Sequence, residues 1–378
     1  MSMASEAPVF SHGSGSDIYT LAGERRLDLL MGFGSAFLGH AHPLVTAKLQ
    51  EQAGRLWNCA RLATDGRLRV DALLAELLPQ GLRMGGFCSS GMEAAEFAMR
   101  VAATHTGRSH FAGFSHSMHG RSAMTAGLCW ENAPLHPDKL HRLPFIDEAG
   151  EGAILDQLGD LLRKRHVAAL FVEPIQGSHL AYEASEDFYR KAMALCRENG
   201  TLCVFDEILT SLYRTGTTFH FDRLGELPDV LLFAKNMGNG FPISAVAVGR
   251  DIAIRAGAFP GSTFSGNPLA MAAIEGTLTA MRGLPMGALV ERLGQTIAAT
   301  LAPLKGCGVT LRGRGALWCL DLGDRIRKEE AIAAVHDAGV LIGSVGGVIR
   351  LLPAANLDPA RLQEACGHIV RACEAACK

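Results

Sequence analysis

Residues 167–207 read VAALFVEPIQGSHLAYEASEDFYRKAMALCRENGTLCVFDE. The run opens on a continuous apolar block, VAALFVEP (167–174), and closes on another, TLCVFDE (201–207). Neither alternates polar with apolar, which is the pattern of strands covered on both faces. Between them EDFYRKAMALCRENG places its apolar residues at helical spacing and stops at Asn199-Gly200. Strand, helix and strand in this order form a βαβ unit, and repeated units of this kind make an α/β fold around a mostly parallel sheet.

Two further apolar runs follow, VLLFAK (230–235) and ISAVAVG (243–249). Only a short glycine-rich turn separates them, so an antiparallel pair is expected there. Upstream, HPLVTAKLQEQAGRLW reads as an amphipathic helix. Beyond residue 281 the order becomes helix (MGALVERLGQTIAATLAPL), strand (GALWCLDL), helix (KEEAIAAVHDAG), strand (VLIGS and GVIRLLP) and helix. The expected organisation is a large domain over residues 46–280 and a smaller α+β domain over 281–378. The strand-like N-terminal segment, 1–45, is expected to join the smaller domain.

The bulk properties exclude several classes. Apolar residues are 48% of the 378 and charged residues 20%, as in soluble globular chains. A net charge of -2 favours neither nucleic acid nor an anionic membrane as partner. The 10 cysteines show no C-x-x-C spacing. A reducing cytoplasm is therefore expected rather than a disulfide framework. The N-terminus carries no apolar signal-peptide core, and no apolar run reaches the roughly 20 residues of a membrane span.

Chemistry concentrates where strands end, as α/β enzymes require. Glu173, Asp206-Glu207 and Lys235 all stand at such ends. Lys235 is the most telling, because an apolar strand delivers a lysine and then breaks into Asn-Met-Gly-Asn-Gly. In FCSSGMEAAEFAMRVA (87–102) a Ser-Ser-Gly turn precedes a helix. The amides of Ser90, Gly91 and Met92 then lie at its positive end, a seat for phosphate. A phosphate seat, an aspartate and a lysine together suit pyridoxal 5′-phosphate. The amine links to the aldehyde, the carboxylate keeps the pyridine nitrogen protonated and the helix holds the phosphate. The glycine-rich turn after Lys235 is expected to give substrate and cofactor room to move.

These motifs resemble a class III (ω-family) pyridoxal-phosphate aminotransferase of fold type I over nearly the whole chain. FDEILTSLYRTG (205–216) resembles the family's F-D-E-V-Q-T-G-F-G-R-T-G, and PDVLLFAKNMGNGFPISAV (228–246) its lysine segment. LGHAHP (38–43), EPIQG (173–177) and GSTFSGNPLA (261–270) follow in the right order. The resemblance implies that Lys235 is the Schiff-base lysine and proton shuttle. It pairs Asp206 with the pyridine nitrogen, packs Ile208 on one ring face and seats a substrate carboxylate on Arg350. Thr263 would hold the phosphate of a neighbouring subunit's cofactor, which implies a homodimer with shared sites. Phe33 and Trp57 fall where the family lines its substrate channel.

The departures are specific. Met118 stands where the family usually has Tyr or Phe before His-Gly, so Met118 or His119 would pack on the ring. Met92 replaces a hydroxyl residue of the phosphate loop, and Leu209 stands where many members carry Gln. The implied reaction moves an amino group from a small-molecule donor to a keto acid or aldehyde. An aminomutase of the glutamate-semialdehyde type, a racemase or a decarboxylating transaminase would share these motifs. A nucleotide- or sugar-phosphate-binding protein would use the Ser-Ser-Gly loop without Lys235. No metal is expected, because His40 and His42 lack further converging ligands.

Overall fold

A computed structural model describes residues 8–60, 62–130, 133, 138–258 and 261–378. Its centre is a seven-stranded sheet in the order Leu82–Cys88, Ser244–Gly249, Val230–Phe233, Leu202–Asp206, Val167–Val172, His110–Phe114 and Leu140–Leu143. Ser244–Gly249 pairs antiparallel with both neighbours, and the other pairings are parallel. The short link after Val230–Phe233 explains the reversal, since a parallel return needs a crossover of about a dozen residues.

Strands Val167–Val172, Leu202–Asp206 and Val230–Phe233 are buried along their whole length. Their side chains alternate between two cores. Leu170, Val172, Cys203, Phe205, Leu231 and Phe233 enter one core, and Ala169, Phe171, Val204 and Leu232 enter the other. Helix Glu186–Asn199 starts on the Ser185 hydroxyl, which accepts from the Phe188 amide, and ends on Gly200 at φ 64. Three strands of the sheet escape the apolar-run reading. Leu82–Cys88 carries Gly85-Gly86 and a bulge opposite Val246–Ala247, while His110–Phe114 and Leu140–Leu143 lie beside or on the sheet's far edge and carry polar residues.

Two smaller sheets complete the fold. One joins Phe10–Ser14, Asp17–Thr20 and Arg25–Asp28 to Val340–Leu341, which runs parallel to Arg25–Asp28. It thus combines segments from both ends of the chain. The other orders Thr310–Arg314, Leu317–Asp321, Val348–Leu351 and Gly343–Val345. The stretch VLIGS is therefore not one strand. It changes sheets at buried Ile342, with Val340 against Leu27 and Gly343 against Arg350.

Candidate active site

Lys235 leaves the sheet where Val230–Phe233 ends. Ala234 adopts φ -154, ψ -114, and Lys235–Met237 form a 3-10 turn. The two asparagines of the segment are staples. Buried Asn236 donates to the Ser211 carbonyl at 2.7 Å and accepts from Arg214 at 3.1 Å. Asn239 accepts from the Leu38 amide and donates to the Gly39 carbonyl, tying down the LGHAHP loop. A Cβ on Gly238 would lie 2.4 Å from the Phe241 carbonyl oxygen. The glycine is there for close backbone approach, so the turn is tightly packed and not the roomy hinge its composition suggests.

A cavity of about 140 Å³ collects Lys235, Asp206, Glu173, Met118, His119 and Ile208, with Gly91 and Met92 at its rim. Asp206, 2% exposed, accepts a 2.7 Å hydrogen bond from His119 Nδ1 on one oxygen, and its other oxygen accepts from the Ile208 amide at 3.1 Å. His119 is equally buried and its Nε2 has no partner. The ring that could have replaced the missing aromatic is thus bound edge-on to Asp206 and packed near Phe171.

Burial and charge tune the cavity. Glu173 accepts from the Met118 and Gly177 amides at 2.8 and 3.0 Å. Burial first and the Asp206 charge second raise its pKa to about 7. Burial lowers Lys235 to about 8, against the opposing pull of Glu173 and Asp206, with Arg214 and Arg350 adding to the lowering. Lys235 is half-buried in the cavity wall.

The phosphate seat differs in detail from its sequence reading. The Ser90 hydroxyl is used as the cap of helix Gly91–Thr106, accepting from the Glu93 amide, while Glu93 accepts from the Ser89 amide at 2.7 Å. Gly91 and Met92 supply the first two helical amides, which have no intrahelical partner. A Cβ on Gly91 would lie 2.7 Å from Ile208 Cδ1, so glycine is what lets this backbone face the cavity. Leu209 fills the space between Gly34 and Gly177 within an apolar cluster with Ile175, Leu317 and Leu352. The position that could carry a hydrogen-bonding Gln is therefore a dry wall.

Arg350 lies on Val348–Leu351, opposite Cys319, with its Nε buried and unpartnered. It makes no ion pair among the described residues, and its charge is felt by Lys235. Five predicted residues do not line this cavity: Ser90, Arg350, Phe33, Trp57 and Thr263. Phe33 (59% exposed, φ 55) and Trp57 (65% exposed) face outward rather than packing in a core. Thr263 is exposed and lines a separate open cleft with Thr64, Arg67, Gly86 and Ser262. His40 is engaged by Asp28 at 2.8 Å rather than by other histidines.

The sequence marks Glu173 and Glu207 only as strand-end acids and gives Arg214 no role. Glu207 accepts from the His220 and Phe221 amides and the Thr210 hydroxyl, and burial raises it to about 7. Arg214 is wholly buried and donates to the carbonyls of Gly34, Ala316 and Pro353 as well as to Asn236. It also stacks over Phe37 at 4.0 Å. A polar residue within an apolar-flanked motif is the only sequence signal for it.

A lysine, a histidine-held aspartate and free helix amides thus meet at the carboxyl ends of the sheet's strands. Residues 3–373 match the family described as Aminotransferase class-III, and the chain belongs to that family. It is 32% identical over 376 residues to an acetylornithine aminotransferase of Methanopyrus kandleri, covering 96% of this chain and 93% of that protein. It is 32% identical over 371 residues to a LysW-aminoadipate semialdehyde transaminase of Deinococcus radiodurans, covering 94% and 83%. The ornithine aminotransferase of Toxoplasma gondii, whose structure has pyridoxal phosphate at partial occupancy in its active site, superposes with a TM-score of 0.87 at 27% identity over 100% of this chain and 92% of that one. A transaminase from a marine Virgibacillus shares the fold with a TM-score of 0.90 at 19% identity, over 99% and 94%. The fold is that of fold type I transaminases, and the chain is an aminotransferase acting on small-molecule amino donors and carbonyl acceptors. The aminomutase, racemase and sugar-phosphate readings are not favoured beside these relatives.

Proposed function

We propose that Lys235 is the catalytic amine of a pyridoxal-phosphate aminotransferase, with Asp206 holding the cofactor's ring nitrogen and Arg350 holding a substrate carboxylate. The observation that carries this reading is the convergence of Lys235, Asp206 and Glu173 on one cavity at the strand ends. The residues fit the group: an unpartnered His119 Nε2, a Gly91 rim that a Cβ would fill, and a lining that offers one amine and an aspartate. When bound, pyridoxal phosphate supplies an electron sink for the carbon that loses its proton.

The chain's own groups do the rest. Asp206 is fixed by His119 and the Ile208 amide, so its carboxylate can keep a facing nitrogen protonated. The amides of Gly91 and Met92 take phosphate oxygens, and Met118 and Ile208 supply soft apolar surface against a ring. Lys235 Nζ, lowered toward neutrality, can accept a proton from the substrate carbon that bears the amine and deliver it on the other side of the amine nitrogen. Arg350, with no carboxylate of its own, presents its fork to a planar carboxylate. Thr263 supports a second copy of the chain completing the phosphate seat, since it is exposed away from its own Lys235. Phe33 would face the substrate from the same outer surface.

The test is the visible spectrum of the purified protein with and without borohydride, followed by amino donors with pyruvate or 2-oxoglutarate. A yellow band trapped by borohydride and absent in Lys235→Ala supports the assignment. Arg350→Gln should lower kcat/KM for a carboxylate substrate by roughly 30-fold or more, from about 2 kcal/mol or more for an unpaired buried charge contact. A colourless protein that takes up no pyridoxal phosphate would remove Lys235 from the role.

A further inference from the structure

Three histidines meet at the other end of the same sheet. His110 opens the strand His110–Phe114, His141 lies in Leu140–Leu143 and His166 immediately precedes Val167–Val172. We propose that His110, His141 and His166 form a binding site for a divalent transition-metal ion of the zinc or cobalt type.

One ring nitrogen from each histidine lies within 4.8 Å of the other two. His110 Nδ1 and His141 Nε2 are 2.9 Å apart and share a proton. The Nε2 of His166 is buried without any partner, and its ring lies 4.2 Å from that of His110. A tetrahedral ion with metal–nitrogen bonds near 2.0–2.1 Å needs nitrogens about 3.3 Å apart. The His110–His141 spacing of 2.9 Å is slightly shorter than that value and the remaining spacings are no longer than 4.8 Å, so small side-chain adjustments would close the site.

The backbone is already in place. The His110 amide donates to the His166 carbonyl at 3.3 Å, and His141 pairs with Ala112 in the parallel ladder. Two strands and the segment following helix Glu151–Arg163 are thereby held in register before any ion arrives. The local cations weigh against a dication. Arg108 is occupied by the Val167 and Asn199 carbonyls, and Lys164 is exposed to solvent. Three neutral imidazoles leave a fourth position for water or a small anion.

The cluster lies at the amino ends of His110–Phe114, Leu140–Leu143 and Val167–Val172, and the last of these carries Glu173 at its carboxyl end. The six residues of Val167–Val172 separate the two ends by roughly 20 Å at about 3.3 Å per residue. The ion would therefore act as a tie at the sheet edge rather than in amino transfer.

The test uses tag-free holoenzyme stripped with a chelator. Zinc or cobalt is titrated by calorimetry, and the visible bands of tetrahedral cobalt are recorded. One ion per chain with micromolar affinity, and a rise in Tm of a few degrees on adding zinc, is expected. His141→Ala and the milder His166→Asn should each weaken binding at least tenfold and abolish the Tm rise, while retaining the wild-type amino-transfer rate, which shows that they fold. Absence of one-to-one binding, or binding that survives both substitutions, would overturn the proposal. Binding lost only in His179→Ala would also overturn it, by moving the ion to the His116, Asp147 and His179 group near the cofactor cavity.

Discussion

The lowered pKa of Lys235 makes a kinetic prediction about cofactor uptake. A free lysine amine at 10.5 is neutral in roughly three molecules per ten thousand at pH 7, whereas one at about 8 is neutral in roughly one of ten. Burial thus gives about a 300-fold larger nucleophilic fraction, at a cost to the ammonium form of about 3 kcal/mol. The assay mixes cofactor-free protein with excess pyridoxal phosphate and follows the visible band by stopped flow from pH 6 to 10. N-acetyl-lysine amide under the same conditions corrects for the aldehyde's own ionisations. The corrected rate constant should climb about tenfold per pH unit below 7.5 and level off near pH 8 to 9. In Glu173→Gln the plateau should begin at lower pH, because Glu173 is the largest influence holding the proton on Lys235. A corrected rate still climbing tenfold per unit between pH 9 and 10 would refute the argument that burial sets this amine.

Two further predictions concern buried charge. Arg214→Met removes four donated hydrogen bonds to three carbonyls and Asn236, and should cost about 3–5 kcal/mol in urea unfolding; a loss below about 1 kcal/mol would show those acceptors are satisfied otherwise. Glu207 is raised from 4.5 to about 7, so the folded chain holds a proton there that the unfolded chain releases. Its contribution to stability is then full below pH 4.5 and falls as pH rises to about 7, by up to about 3 kcal/mol. The stability advantage of wild type over Glu207→Gln, which does not titrate, should shrink between pH 5 and 8, and an unchanged difference would contradict the burial argument.

Much of the catalytic half was legible in the chain because its signals are local. An apolar run that stays unbroken implies a strand covered on both faces, and Glu173, Asp206 and Lys235 each follow such a run directly. The turn of Ser89-Ser90-Gly91 before a helical pattern exposes amides wherever the helix sits. Short spacing between Val230–Phe233 and Ser244–Gly249 dictated their antiparallel pairing for purely geometric reasons.

Other features depend on residues distant in sequence, and no local pattern encodes them. The glycines after Lys235 read as freedom, yet Gly238 is pressed on Phe241 because Asn236 and Asn239 tie the turn to Arg214 and to Leu38–Gly39. His119 reads as a neighbour of the missing aromatic, yet strand Leu202–Asp206 carries Asp206 to its Nδ1. Phe33 and Trp57 resemble channel-lining positions, and both are exposed on this chain at 59% and 65%. The amino acid order alone determined the four apolar strands, the helix that follows Ser89-Ser90-Gly91 and the lysine that the α/β layout presents. Only the tertiary structure decided which charges are buried together, which sets their pKa values, and that three histidines from separate segments share one corner, because charge and coordination depend on distances in space that chain spacing does not contain.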